Sequence, residues 1–129
     1  VSDNLLAGLV LIAGYHGVNL DSQMIKQRFC DENGNVGVTQ CLLAAKKNAL
    51  YARVVKKKIE RLKYIQLPAL ILNKDKSFFI LLRAEEDKFL IYDIENKNTK
   101  VIDKEKFCNI YTEELLMVSS PKSQGASML

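Results

Sequence analysis

Residues 77 to 93 read SFFILLRAEEDKFLIYD: two apolar runs, Phe78 to Arg83 and Lys88 to Tyr92, separated by Ala84-Glu85-Glu86-Asp87 alone. So short a link reverses the chain but cannot carry it back over a sheet face, which takes about a dozen residues or more, so the two runs must pair antiparallel. Leu50 to Val55 and Leu67 to Leu72 are short strand-like runs before the hairpin. Thr99 to Ile102, after a turn at Asn96-Lys97-Asn98, and Leu115 to Val118 follow it. Between the last two, Asp103 is placed to cap a short helix over Phe107 and Ile110. Most of these links are also too short for crossover helices, so the second half of the chain reads as an antiparallel sheet.

The first half has a different period. Leu5, Leu6, Leu9, Val10, Ile12 and Ala13 fall on a broad face at helical spacing, with Gly14 and Gly17 as an ending, which predicts a mostly buried helix over 4–16. Asp21 is placed to cap a second helix carrying Met24, Ile25 and Phe29, with Leu20 stapled onto Ile25, and Asp31-Glu32-Asn33-Gly34 stops it. A third helix is predicted from about Thr39, as N-cap, through Cys41, Leu42 and Ala45 to Asn48. Helices first and strands after is the pattern of an α+β domain, with N-terminal helices packed on a C-terminal antiparallel sheet. Residues 1–120 are expected to form one domain, and 121–129 a flexible tail or the start of a linker.

At 129 residues and 48% apolar composition the chain is long enough for one buried core. No apolar run approaches the ~20 residues that cross a bilayer. The longest, Leu5 to Ala13, is interrupted by Gly8, and no charged-then-apolar leader is visible, so the sequence reads as a soluble piece. Cys30, Cys41 and Cys108 are widely spaced, and His16 is the one histidine, a set that suits neither a disulfide framework nor a metal site. Neither G-x-x-x-x-G-K-[ST] nor G-x-G-x-x-G occurs, so no nucleotide cradle and no cofactor is expected. The net charge is +4, and the basic stretch Lys56 to Lys63 is interleaved with Ile59, Glu60 and Leu62. With few aromatics for base stacking, that stretch reads as a solvated face and not as a nucleic-acid site.

Chemistry then rests on few residues. Asp93 stands where the hairpin ends, either as a turn acid or as the orienting member of a catalytic set, and an orienting acid does nothing without a base and a nucleophile. Cys41, among apolar residues on a helix, reads as a buried inert thiol, and His16 as a helix-end residue.

Several ordered motifs carry a resemblance over nearly the whole chain. They are Asp3-Asn4 leading into a helix that ends Tyr15-His16-Gly17, then Gly37 to Ala45, then Leu67-Pro68-Ala69-Leu70-Ile71, and finally Ser77-Phe78-Phe79-Ile80-Leu81 with Ile91-Tyr92-Asp93. Together they resemble the papain-like cysteine peptidase domain at the N-terminus of bacteriocin-exporting ABC transporters, which cleaves double-glycine leaders. In that family a cysteine in Asp-Cys-Gly is the nucleophile, a histidine in a His-Phe pair early in the hairpin is the base, and an aspartate after the next strand orients it. The resemblance puts Asn4 at the nucleophile position in Asp3-Asn4-Leu5 and Phe78 at the base in Phe78-Phe79, and retains Asp93, followed by Ile94 where the family often has proline. Nothing before Asp3 matches the family's oxyanion-hole glutamine. A carboxamide is no thiolate, and a phenyl ring moves no proton.

That loss resembles the peptidase-like domain of type I secretion transporters that export RTX toxins and adhesins uncut. The resemblance implies a catalytically inactive module at the cytoplasmic face of the inner membrane, without a cofactor of its own. Its partners would be the unfolded exported RTX-type protein and the membrane and ATPase domains of the same transporter, a dimer in full length. Asn4, Ser77, Phe78, Phe79, Tyr92 and Asp93 are the residues expected to line the substrate groove, and the basic balance that includes Arg53, Lys56 to Lys58, Arg61 and Lys63 would favour encounter with an acidic chain. A residual peptidase using another cysteine, or a bracing domain that touches no substrate, are the other readings.

Overall fold

A computed structural model describes residues 3–121. The expected tail, 121–129, lies outside them but for Pro121. The elements run α1 (Asp3–Tyr15), α2 (Ser22–Phe29), α3 (Val38–Lys47), β1 (Tyr51–Lys56), a 3₁₀ segment (Ile59–Tyr64), β2 (Ala69–Asn73), β3 (Phe78–Ala84), β4 (Lys88–Asp93), β5 (Asn98–Asp103), α4 (Lys104–Ile110) and β6 (Tyr111–Ser119). The sheet order is β1-β6-β2-β3-β4-β5, and the pairings β2–β3, β2–β6, β3–β4 and β4–β5 are antiparallel. The α+β class read from the sequence is the observed one. The described residues divide into two compact units, one of residues 3–53 with 118–121 and one of residues 54–117.

In the first unit, α1 buries Leu5, Leu6, Leu9, Ile12 and Ala13 and packs on α2 and α3. It ends in a Schellman motif: Gly17 takes a left-handed φ of 80°, its N–H donates to Gly14 O, and the Val18 N–H reaches back to Ala13 O. The Asp21 carboxylate accepts from the N–H groups of Gln23 and Met24 at the start of α2. Leu20 and Ile25 are both buried, as the predicted staple requires. The third helix departs from expectation at its start. Its N-cap is Gly37 and not Thr39, because the Gln40 side chain accepts from the Gly37 N–H at 2.9 Å and draws the helix two residues earlier.

The second unit is organised by one sheet face. Ala69, Ile71, Phe79, Leu81, Phe89, Ile91 and Leu115 form a buried cluster with Leu62 of the 3₁₀ segment and Phe107 of α4. Phe107 stacks on Phe89 with centroids 4.2 Å apart and meets Phe79 edge-on at 6.0 Å, a favourable arrangement of ring quadrupoles. Asp103 caps α4 by accepting from the Lys106 N–H, as predicted. On the opposite face, Leu70, Ile80 and Leu116 are aligned by register and also buried.

Other boundaries also differ from the sequence reading, among them β2, which starts at Ala69 and not at Leu67. β6 begins at Tyr111 and not at Leu115, because Thr112 Oγ1 donates to Leu72 O and the Tyr111 hydroxyl donates to Lys57 O. From Ile59 the basic stretch forms a 3₁₀ helix anchored by the fully buried Leu62.

Candidate functional site

In the first unit, Asn4 lies half-buried in the first turn of α1. His16, just past the end of that helix, is engaged: its Nε2 lies 3.1 Å from Val118 O, and since a carbonyl only accepts, this nitrogen carries the proton. The Tyr15 ring meets the imidazole edge-on. Cys41 on α3 is fully buried, and burial pushes its thiol up to about 11, so at neutral pH it is no thiolate. The other thiols, half-buried Cys30 and exposed Cys108 on α4, are free.

In the second unit, the β2–β3 turn holds Ser77. Its N–H and hydroxyl both donate to the Asp75 carboxylate, and these bonds lower the pKa of Asp75. Phe79 belongs to the core beside Phe107, while half-buried Phe78 and Tyr92 lie on the other face with Ile80 and Leu70.

Asp93 ends β4, and its side chain is 21% exposed. Its Oδ2 accepts from the Asn96 amide at 2.8 Å and from Lys100 Nζ at 3.0 Å, and its Oδ1 from the Asn96 N–H at 3.1 Å. The Asn96 side chain, then the Asn96 N–H and Lys100, favour the charged form and pull its pKa down to about 2. A carboxylate so occupied closes the β4–β5 turn, which is the plain reading that the sequence offered for it.

The register separates two of the predicted partners. Between Leu81 and Arg83 the β3–β4 ladder shifts by one residue, so Ile80 faces Tyr92. By alternation Phe78 then shares the face of Tyr92, whereas Asp93 falls on the opposite face with Phe79 and Ser77. Counting back from the Ala84↔Phe89 pair without that bulge would place Ile80 opposite Asp93 and Phe78 on the Asp93 face. Phe78 and Asp93 therefore fall on opposite faces of the sheet.

The Peptidase C39 family model matches residues 1–123. The chain belongs to that family. It is 37% identical over 120 residues to the alpha-hemolysin translocation ATP-binding protein HlyB of Escherichia coli, a match covering 92% of this chain and 17% of that protein. To the toxin RTX-I translocation ATP-binding protein of Actinobacillus pleuropneumoniae it is 36% identical over 120 residues, again 92% of this chain and 17% of the relative. The chain thus spans about a sixth of the length of these relatives. Among solved structures, the N-terminal peptidase C39 like domain of the toxin secretion ATP-binding protein from Vibrio parahaemolyticus superposes with a TM-score of 0.77 at 19% identity, covering 93% of this chain and 98% of that one. The fold is the papain-like one expected for C39 domains.

Among the described residues no cluster of three or more His, Cys, Asp or Glu is arranged to hold a metal ion, and no helix is long and apolar enough to cross a membrane. Sequence reasoning missed Tyr111, buried in the core with its hydroxyl on Lys57 O and its phenol pKa raised by burial. Its polar neighbours Thr112, Glu113 and Glu114 hid a strand start.

Proposed function

We propose that this chain is a non-cleaving C39 domain of a toxin-secretion ABC transporter, docking the unfolded RTX-type substrate at the cytoplasmic face of the membrane before export. Peptidase chemistry needs a thiolate and an imidazole together. The observation that carries the reading is that the one imidazole of the chain is committed to Val118 O while Cys41 is buried and neutral. Asn4 and Phe78 at the positions matched to nucleophile and base supply neither group, and Asp93 has become a turn acid. The relatives translocate alpha-hemolysin and an RTX toxin, which supports an exported RTX-type chain as the ligand and membrane and ATPase domains as neighbours in the same polypeptide.

Incubation with a double-glycine leader peptide, followed by mass spectrometry, tests the loss of cleavage. The peptide is expected to remain intact. Cleavage that disappears on replacing Cys30, Cys41 or Cys108 by alanine would overturn the reading.

A further inference from the structure

The residues from Lys56 to Tyr64 carry five cations, Lys56, Lys57, Lys58, Arg61 and Lys63, against the single carboxylate of Glu60. Their net +4 equals that of the whole chain, so all other residues together balance. Within the 54–117 unit this is a fixed surface: Leu62 is fully buried, and Ile59 and Ile65 pack against the same core. Facing acids take part of the charge. Glu114 lies 4.0 Å from Lys56 and Glu86 3.1 Å from Lys63, while Glu60 is turned to Lys104 at 4.0 Å. Lys57, Lys58 and Arg61 have no ion pair among the described residues. Tyr64 closes the segment at 73% exposure, with Lys63 Nζ 5.3 Å from its ring centroid.

The geometry points to this segment as a docking face for an anionic lipid bilayer. Part of its backbone is already engaged: the Lys57 N–H donates to Glu113 O, Lys57 O accepts from Tyr111, and the Arg61 N–H donates to Lys58 O. An extended acidic polypeptide held by strand addition needs free backbone partners, which these three groups do not supply. What the segment offers is exposed Lys58 and Arg61 and half-buried Lys57, long-stemmed cations beside an exposed phenol ring, suited to diffuse phosphate charge and to the headgroup level of a membrane. One tyrosine gives no row of rings for stacking bases, which disfavours nucleic acid. The inference stands without the substrate-docking reading, although both place the domain beside a membrane.

The test is co-sedimentation of the 129-residue chain with vesicles of phosphatidylglycerol and phosphatidylcholine in equal parts, against phosphatidylcholine alone. Binding is expected only to the anionic vesicles, weakening as salt rises. Each cation lost should cost about fivefold, so a variant carrying Lys57→Gln, Lys58→Gln and Arg61→Gln should lose on the order of 100-fold. Tyr64→Ala should lose several-fold. A second variant with Lys74→Gln, Lys76→Gln and Lys97→Gln, equal in charge but elsewhere on the surface, should lose far less. Equal binding to both vesicle types, or equal losses in the two triple variants, would overturn the proposal. Capture of a polyglutamate peptide through Lys57, Lys58 and Arg61 without vesicle binding would assign the face to acidic chains instead. Binding of a calcium-free RTX segment by the same variant, measured separately, tells failure of this inference from failure of the docking reading.

Discussion

The corner at Asp93 and the segment from Lys56 to Tyr64 share one aromatic core, reached through Ile91 and Leu62, yet they handle charge in opposite ways. At Asp93 the carboxylate oxygens are met by Asn96 and Lys100, and the charge is spent on closing a turn. Along the basic segment, Lys57, Lys58 and Arg61 are left without ion pairs among the described residues. At Asp93 the acid is engaged in the fold, and the charge without ion pairs lies elsewhere, a contrast that supports the proposed non-cleaving, partner-holding role.

The largest expected effect strikes what the two regions share. Phe107→Ala removes the ring that stacks on Phe89 and should lower stability by about 3 to 5 kcal/mol in urea unfolding, loosening both regions together. Loss confined to one of them would show that they do not rest on one core.

Asp93→Ala should cost about 1 to 2 kcal/mol, since the turn donors lose a charged acceptor in a part-exposed site. The pH dependence has a definite sign. Because the folded pKa lies near 2, below the ~3.9 of an unfolded aspartate, this stabilisation is fully present above about pH 4 and lost as pH falls towards 2. Asp93→Asn should therefore flatten that part of the acid limb of stability, followed by urea midpoints. An unchanged limb would mean that the carboxylate is not held as described.

His16→Ala should cost about 1 kcal/mol through loss of the bond to Val118 O. The triple glutamine variant at Lys57, Lys58 and Arg61 should change stability by no more than about 0.5 kcal/mol. A large loss there would make the segment structural and erase the contrast with Asp93. Alkylation with iodoacetamide should modify exposed Cys108 well before Cys41, and early modification of Cys41 would revive the thiol as a nucleophile.

Much of the fold is written locally. Asp21 and Asp103 cap helices through their own side chains, Leu20 staples onto Ile25, and the Glu85-Glu86-Asp87 turn sets the hairpin, so each is legible within a few residues. What escaped the sequence is a competition between neighbouring caps and, elsewhere, what distant groups decide. Thr39 is the better capping side chain, but Gln40 reaches back to Gly37 and moves the helix start. The first residues of β6 are polar and are drawn into the sheet by Leu72 and Lys57, far off in sequence. The bulge after Leu81 matters most for the site, because one residue of shift turns Phe78 away from Asp93, and no motif in the hairpin marks it.

The most direct measurement is an amide NMR titration of the domain with an RTX segment from the cognate exported protein, once free of calcium and once calcium-folded. The account predicts saturable shifts with the calcium-free chain, few or none with the folded form, and a segment recovered at its original mass. Equal shifts with both forms, no shifts with either, or a cut segment would contradict it.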